Sequence, residues 1–600
     1  MKKIKIFPII LCSALFVLSS CKDALDAPTQ SSLDASFIFS TPVLAEEAIM
    51  GINQSLCETN SYRGRFLPYY GSNTDIELYA SSESASDDKA LLTGYNPDPS
   101  GATMNLSNGP WSMMYQAIEK ANLCISGLRT YGNVQSNSEL AQLLGEALTM
   151  RAVVYFDLIK AYGDVPARFE PITSETMYIP KSDRDVIYKQ IIADLGEAEN
   201  LVAWPNETSV TKSVERINKA FVKGLRARIC LSAAGYSQRP DGSTTGVVRL
   251  STDPELTKDK LYPIVKQECI DVINSGTCKL GTFLENFKRI CQENTSAGAE
   301  SLYELPFSAG RGRVVYTFGL KHTTTDKYTS LAKGGEIGPL PNVFYDFDKN
   351  DIRRDITCVP YVWTNGIQVP NKLSQWCFGK LRFEWMSRVV TSSNDDGVNW
   401  QFMRLADVYL MAAEAINEID GPATAAPYLK VIRDRAFPNN PAQVTAYMDT
   451  IATSKDRFFS AIVDERALEF CGEMIRKQDL IRWNLLSTKL TAAVSKLSAL
   501  SNRTGTYSDL PEKIYYTTAS DGETIKIYGL EHGDTDTQGA TLGYTSKGWF
   551  LSNGINNLTT IKVNSVYQKD PNTRQYWPIP AVAISASNNT LLNDLWYQAQ

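Results

Sequence analysis

Apolar residues that return every three or four positions, in segment after segment, constrain this chain most. It has to build helices that hide one face against another. Leu148, Ala152, Tyr155, Ile159 and Tyr162 form one such stripe, which ends at Gly163 and cannot continue through Pro166. Thr41 followed by Pro42 opens an earlier segment running to Glu58, in the manner of an N-cap and a first helical residue. Further amphipathic stretches predict helices at about 110–131, 138–163, 183–203, 214–236 and 258–275. Consecutive pairs of this length predict tetratricopeptide-like hairpins, although the clean repeat of about 34 residues is missing.

Between about 280 and 400 the pattern turns to short apolar pieces, glycine-rich joints and many aromatics, with Ser301–Leu305 the clearest strand. Helices are expected again at about 401–418, 423–436, 454–473 and 475–498, the first carrying the stripe Phe402, Leu405, Tyr409, Ala412 and Ile416. Residues 514–518 and 524–527 flank Asp521-Gly522 as a hairpin. The expected fold is therefore mainly α: tetratricopeptide-like helix hairpins with a loop-rich, minor-β second half. Residues 41–280 make the N-terminal helical half. Residues 281–600 make the C-terminal half, with the loop-rich ligand region and the returning helices.

Lys2, Lys3 and Lys5 precede an apolar run from Ile6 to Leu18, so residues 1–20 read as a signal peptide rather than a spanning helix. The run ends Leu18-Ser19-Ser20-Cys21, which resembles the bacterial lipobox, and Cys21 is expected to carry a lipid anchor. Residues 21–40, small and polar without a period, read as the lipidated tether. No later stretch is long and apolar enough to span a membrane, so attachment is expected through the lipid alone. The nine cysteines left after Cys12 and Cys21 are an odd, scattered set without C-x-x-C, read as core thiols with room for one incidental disulfide.

A net charge of −6 offers no basic field for nucleic acid. Only 2 His disfavour imidazole-built metal sites, while 29 Tyr, 22 Phe and 10 Trp favour flat contact surfaces. Nucleotide loops, zinc spacings and hydrolase motifs are missing, so no catalytic residue, cofactor or metal is expected. Asp346, Asp348 and Asn350 have calcium-loop spacing, but Asp351 stands where glycine is needed and Thr357 where glutamate is, which leaves a solvated loop. Glu465, Glu469 and Glu473 recur every four residues as a glycosidase pair could. Arg466, Arg476 and Arg482 crowd them, and an ion-pair network is the expectation.

A sugar ring presents an apolar C–H face and a rim of hydroxyls, so an aromatic flanked by Asn or Arg binds it without a catalytic group. Tyr79, Tyr95 and Asn96 lie in one long polar loop before Trp111. Arg311, Arg313, Tyr316, Phe318, His322 and Tyr328 lie in a second, and Trp363 and Trp376 follow in the same irregular region. Singly, each of these suits a core or loop-anchoring role. As a group they are the candidate ligand-binding face, because loops on a rigid scaffold carry function.

Ordered blocks along the chain resemble a known family. In the first half they are Trp111-x-x-x-Tyr115-x-x-Ile118-x-x-Ala121-Asn122, then Arg151-Ala152 through Tyr155-Phe156-x-Leu158 to Tyr162-Gly163-Asp164-Val165-Pro166. The second half has Phe347-Asp348-x-x-Asp351-x-Arg353 and Arg404-Leu405-Ala406-Asp407-Val408-Tyr409-Leu410 with Ala413-Glu414-Ala415. It continues with Ile432-Arg433-x-Arg435-Ala436, Glu465-Arg466 with Glu469-Phe470, Asp479-Leu480-Ile481-Arg482-Trp483 and Trp577-Pro578-Ile579-Pro580. With the lipobox, these make the chain similar to the SusD/RagB outer-membrane lipoproteins of Bacteroidetes over nearly all of its mature length. Two departures are Cys471 to Gln478, where an aromatic is expected before Asp479, and the close Asn593-Asp594-Leu595-Trp596-Tyr597.

The resemblance implies a lipoprotein anchored in the bacterial outer membrane and facing the cell surface. It would capture oligosaccharides and deliver them to a SusC-like, TonB-dependent transporter, without covalent chemistry. Ligand contacts in such proteins sit in variable loops, so the candidate residues above follow loop position and chemistry alone. A peptide-binding member of the same architecture, a glycoside hydrolase and a lid touching only the barrel are the alternatives. Arg311 and Arg313 beside Tyr316 suit an anionic sugar and acidic barrel residues equally.

Overall fold

A computed structural model describes residues 34–330, 332–391 and 396–593. The expected signal peptide, the Cys21 anchor, most of the tether and the chain from Asp594 lie outside the described residues.

The helical array forms where the stripes predict it. Its members are α1 (Pro42–Leu56), α2 (Pro110–Tyr131), α3 (Ser138–Tyr162), α4 (Arg184–Ala198), α5 (Lys219–Ala233), α6 (Lys258–Ser275), α7 (Leu405–Asp420) and α8 (Pro422–Ala436). Local chemistry sets the ends. Proline opens α1, α2 and α8 at the first turn, where its missing N–H costs nothing, and the Asn137 side chain accepts the N–H groups of Glu139 and Leu140 at the head of α3. Each helix packs on the next from α1 to α8, so α6 lies directly against α7 although about 130 residues separate them. These are tetratricopeptide-like hairpins in one array. One large buried cluster runs from Phe39 to Leu591, and a small second one gathers Leu320, Val359, Val362, Trp363 and Cys377. Among the described residues no helix is long and apolar enough to cross a membrane.

Many of the quoted blocks are ties within this array. Arg151 forks onto Asp194 at 2.9 Å and also donates to the side chain of Asn122 at 2.9 Å and to the Phe169 carbonyl at 2.8 Å, joining α2, α3 and α4. The Trp577 ring packs edge-on against Phe66, Tyr70 and Tyr162, and the Trp577 backbone N–H donates to the Ala161 carbonyl at 2.7 Å. The late Trp-Pro-Ile-Pro block is thereby pinned to the end of α3.

Three expected elements take another form. The last residues of the expected tether make a short helix, Ala35–Ser40, capped by the Asp34 carboxylate and with Phe39 buried. The stretch from 401 begins as a strand, Trp400–Arg404, antiparallel to Ser301–Leu305, and turns helical only at Leu405, whose N–H donates to the Glu300 carbonyl. The segment expected at 475–498 breaks into Arg476–Arg482 and α10 (Leu486–Ser501), which follows α9 (Lys455–Glu469), because Asn484 takes the left-handed conformation at φ 57°. The hairpin around Asp521-Gly522 forms as Lys513–Thr518 and Ile525–Tyr528, with Thr545–Gly548 added as a third strand. All nine described cysteines are free thiols.

Glu465 and Glu469 meet arginines, though not their helix neighbours. Glu465 takes Arg353 and Arg433, Glu469 takes Arg353, Arg404 and Arg435, and Glu473 takes Arg404 and Lys380. Arg466 pairs instead with Asp407 and Asp479. Adjacent helical residues point about 100° apart, so Glu465 and Arg466 cannot meet and each reaches a different element.

Candidate functional site

After Ser301–Leu305 the chain leaves the core through Ser308 to Arg311, which are exposed, and returns as the five-residue helix Val314–Phe318. Asp396 fixes that return. Its carboxylate accepts the Tyr316 N–H at 2.9 Å and the Val398 N–H at 3.1 Å, while Val314, Val315 and Phe318 turn into the core. Burial pushes the Asp396 carboxyl up to about 7, against the pull of these backbone donors. Tyr316 is left half-buried on the outer side.

The Arg313 guanidinium stands 4.3 Å from the Tyr316 ring centroid and the Lys333 ammonium 4.9 Å. Lys333 arrives on a second segment, held where the His322 N–H donates to the Lys333 carbonyl at 2.7 Å. Gly334 follows at φ 100°, and a Cβ there would come within 2.6 Å of the Leu320 carbonyl oxygen, so only glycine lets the segment turn.

Next along, Glu336 accepts the Tyr69 hydroxyl at 3.0 Å and the Lys89 ammonium at 2.9 Å. A short ladder brings these partners together: β1 (Glu77–Tyr79) pairs antiparallel with β2 (Ile337–Pro339), Tyr79 opposite Ile337. Burial and the Glu336 carboxylate push the Tyr69 hydroxyl well up, and the Arg313 charge pulls it the other way.

Of the sequence candidates, the structure brings Arg313 and Tyr316 together on this face, while Arg311 stays on the exposed loop that precedes them. Tyr328, half-buried, lies edge-on to Trp363 at 5.3 Å, and Trp363 stacks on His322 at 5.7 Å. His322 is fully buried between the carboxylates of Asp326 and Glu384. Tyr79 is buried with its hydroxyl on Asp87, and Asn96 is half-buried near Gln568. Tyr95 is 2% exposed, with its hydroxyl on the Asn73 carbonyl at 2.9 Å. Phe318 packs on Trp400, and Trp376 on Phe344 and Trp549. Tyr79, Tyr95, Phe318 and Trp376 thus serve as rings of the main core, and Trp363 is buried in the small second cluster with Leu320 and Val362.

Lys333, Glu336, Tyr69, Lys89 and Asp396 did not stand out in the sequence. The Gly334-Gly335 pair after Lys333 was a local signal for a functional turn. Glu336, Tyr69 and Lys89 meet through the ladder between residues 79 and 337, and Asp396 reaches the Tyr316 N–H from 80 residues away, neither of which a local pattern encodes. Two other clefts among the described residues are not lined by Tyr316, Arg313 or Lys333. One, about 40 Å³ between Tyr79, Trp376 and Lys562, has room for water but not for a sugar ring. The other, about 260 Å³, is lined by Asp75, Asp464, Arg476, Lys489 and Lys496, whose charges are already paired within the chain. Among the described residues no cluster of His, Cys, Asp and Glu could hold a metal ion.

A rigid helical array that carries half-exposed aromatic and cationic side chains on long loops defines a binding scaffold. Comparison with known proteins gives the lineage. The model for the SusD family matches residues 378–596, and a second, described as starch-binding associating with outer membrane, matches residues 25–231. Two SusD-like proteins of Formosa agariphila are 22% and 24% identical over 505 and 492 residues, each covering 80% of this chain and 90% and 92% of theirs. A SusD homologue from Bacteroides thetaiotaomicron superposes with a TM-score of 0.66 at 20% identity, over 78% of this chain and 91% of its own. Surface glycan-binding protein A from the same organism, solved with laminarihexaose, gives 0.59 at 16% identity, over 92% of this chain and 98% of its own. The chain belongs to the SusD/RagB family.

Proposed function

We propose that this protein captures oligosaccharides at the bacterial cell surface, held to the outer membrane by a lipid on Cys21, and passes them to a SusC-like, TonB-dependent barrel. The observation that carries the reading is the face around Tyr316, where Arg313 and Lys333 converge from two loops on a rigid array, with the exposed Arg311 two residues before Arg313. A family model described as starch-binding and a fold neighbour solved with laminarihexaose support it. No covalent chemistry belongs to it: the carboxylates a hydrolase would use, Glu465, Glu469 and Glu473, are committed to cations. Capture for onward transport calls for modest affinity, and wet polar contacts supply it.

Calorimetric titration of the chain in detergent against oligosaccharides and extended peptides tests this. Saturable heat with an oligosaccharide class and none with peptides is expected. A peptide response alone would overturn the reading. Co-purification with a TonB-dependent barrel from solubilised outer membranes checks the hand-over, and recovery of the chain without one contradicts it.

A further inference from the structure

We propose that the captured glycan is anionic: the face around Tyr316 takes a carboxylated or sulfated sugar through Arg311, Arg313 and Lys333. This rests on the glycan-capture reading above and goes on to name the chemical class.

The chain as a whole is acidic, at −6, and most of its half-buried and buried cations have a carboxylate partner, as Arg184 has Asp164 and Lys89 has Glu336. These three depart from that pattern. Among the described residues no carboxylate lies within ion-pair distance of the side chains of Arg311, Arg313 or Lys333, and Arg311 is fully on the surface. Arg313 and Lys333 instead share one aromatic ring. A π face attracts a cation but leaves its N–H groups unspent, and the buried Nε of Arg313 makes no hydrogen bond at all. Two like charges held over one ring repel each other in a site partly shielded from water, and a bound anion relieves that repulsion.

The same geometry argues against a neutral sugar. Stacking needs an open aromatic face, and the Tyr316 ring is already attended by two cations. What the face offers is a set of N–H donors, with a planar guanidinium fork suited to the paired oxygens of a carboxylate or sulfate. Among the described residues the neighbouring acids make their contacts elsewhere, Glu336 with Lys89 and Tyr69 through Oε1 and Asp396 with backbone N–H groups.

The test is titration of the whole chain in detergent against an array of oligosaccharides that includes charge-matched pairs. These are oligogalacturonate with its methyl ester, and sulfated carrageenan oligosaccharides with their desulfated forms, with neutral laminarihexaose alongside. Binding confined to anionic members is expected, falling at least tenfold between low and high salt. The carboxylate and sulfate pairs tell which group is read. Arg313→Gln and Lys333→Gln should each weaken binding at least fivefold, with Arg313→Lys recovering part of the loss and thermal midpoints unchanged. Neutral members bound as tightly as their anionic partners, and equally by the variants, would overturn the charge assignment while leaving capture intact. Silence across the array would overturn both. Silence combined with loss of barrel co-purification in the variants would reassign the three cations to a protein contact.

Discussion

Glu469→Ala lowers the unfolding free energy by about 3–5 kcal/mol, the cost of stripping one partner from a buried charge cluster. Glu469 is fully buried on α9 and accepts from Arg404 at 2.5 Å, from Arg353 at 2.7 Å and from Arg435. Alanine leaves three guanidinium groups short of an anion where water cannot replace it. Arg404 keeps Glu300 and Glu473, and Arg353 keeps Asp351 and Glu465, which holds the loss within that range. Lys430→Ala is the contrast: its pair with Asp434 is nearly half exposed at both ends, and the midpoint should barely move. Urea unfolding followed by circular dichroism reads both. The same cluster sets the acid response. Burial pushes the Glu469 carboxyl up, but the charges of Arg435, Arg404 and Arg353 outweigh it and hold it well below the usual carboxylate range. A depressed folded-state value means that its stabilisation is fully present above the ordinary range, near 4.5, and is lost only as pH falls through the depressed value.

Gly338→Ala costs about 1–3 kcal/mol as overpacking and weakens glycan binding at least tenfold through the loop that it displaces. A Cβ at 338 would lie 2.1 Å from the Trp376 carbonyl oxygen and 3.2 Å from its carbon, and that obstacle is backbone that cannot swing aside. The strand Ile337–Pro339 must then retreat from Trp376 and drag its ladder with Glu77–Tyr79 out of register. Glu336 and Lys333 stand one and four residues before that strand, so the cation over Tyr316 moves with it. Gly281→Ala, with nothing within 4 Å of the new methyl, should change neither quantity. Thermal unfolding paired with titration separates the two effects.

The helices were legible because their signals are local. The residues from Pro110 to Tyr131 carry their own start, stripe and stop, and Asn137 caps the next helix from its own sequence. The strand Trp400–Arg404 was hidden because Phe402 and Leu405 stand three apart and fit a helical stripe. Only the pairing of its neighbours Gln401 and Met403 with Glu304 and Tyr303 keeps the chain extended through Phe402. The face was half legible for a related reason. Arg313 and Tyr316 lie close in sequence, so their clustering could be read directly. Lys333 joins them only through the His322 bridge, and Tyr69 and Lys89 only through the pairing of residue 79 with residue 337. Tyr95 shows the opposite error. A tyrosine in a polar loop reads as a platform, yet its backbone turns left-handed at φ 63° and sends the ring inward to the Asn73 carbonyl.

The most direct measurement is a crystal structure of the chain bound to an oligosaccharide that gives saturable heat in solution. Sugar density against Arg313, Tyr316 and Lys333, with an acidic group within hydrogen-bond distance of the guanidinium, is the expected result. Density in the cavity of about 260 Å³ beside Asp75 and Lys496, with the Tyr316 face empty, would contradict it.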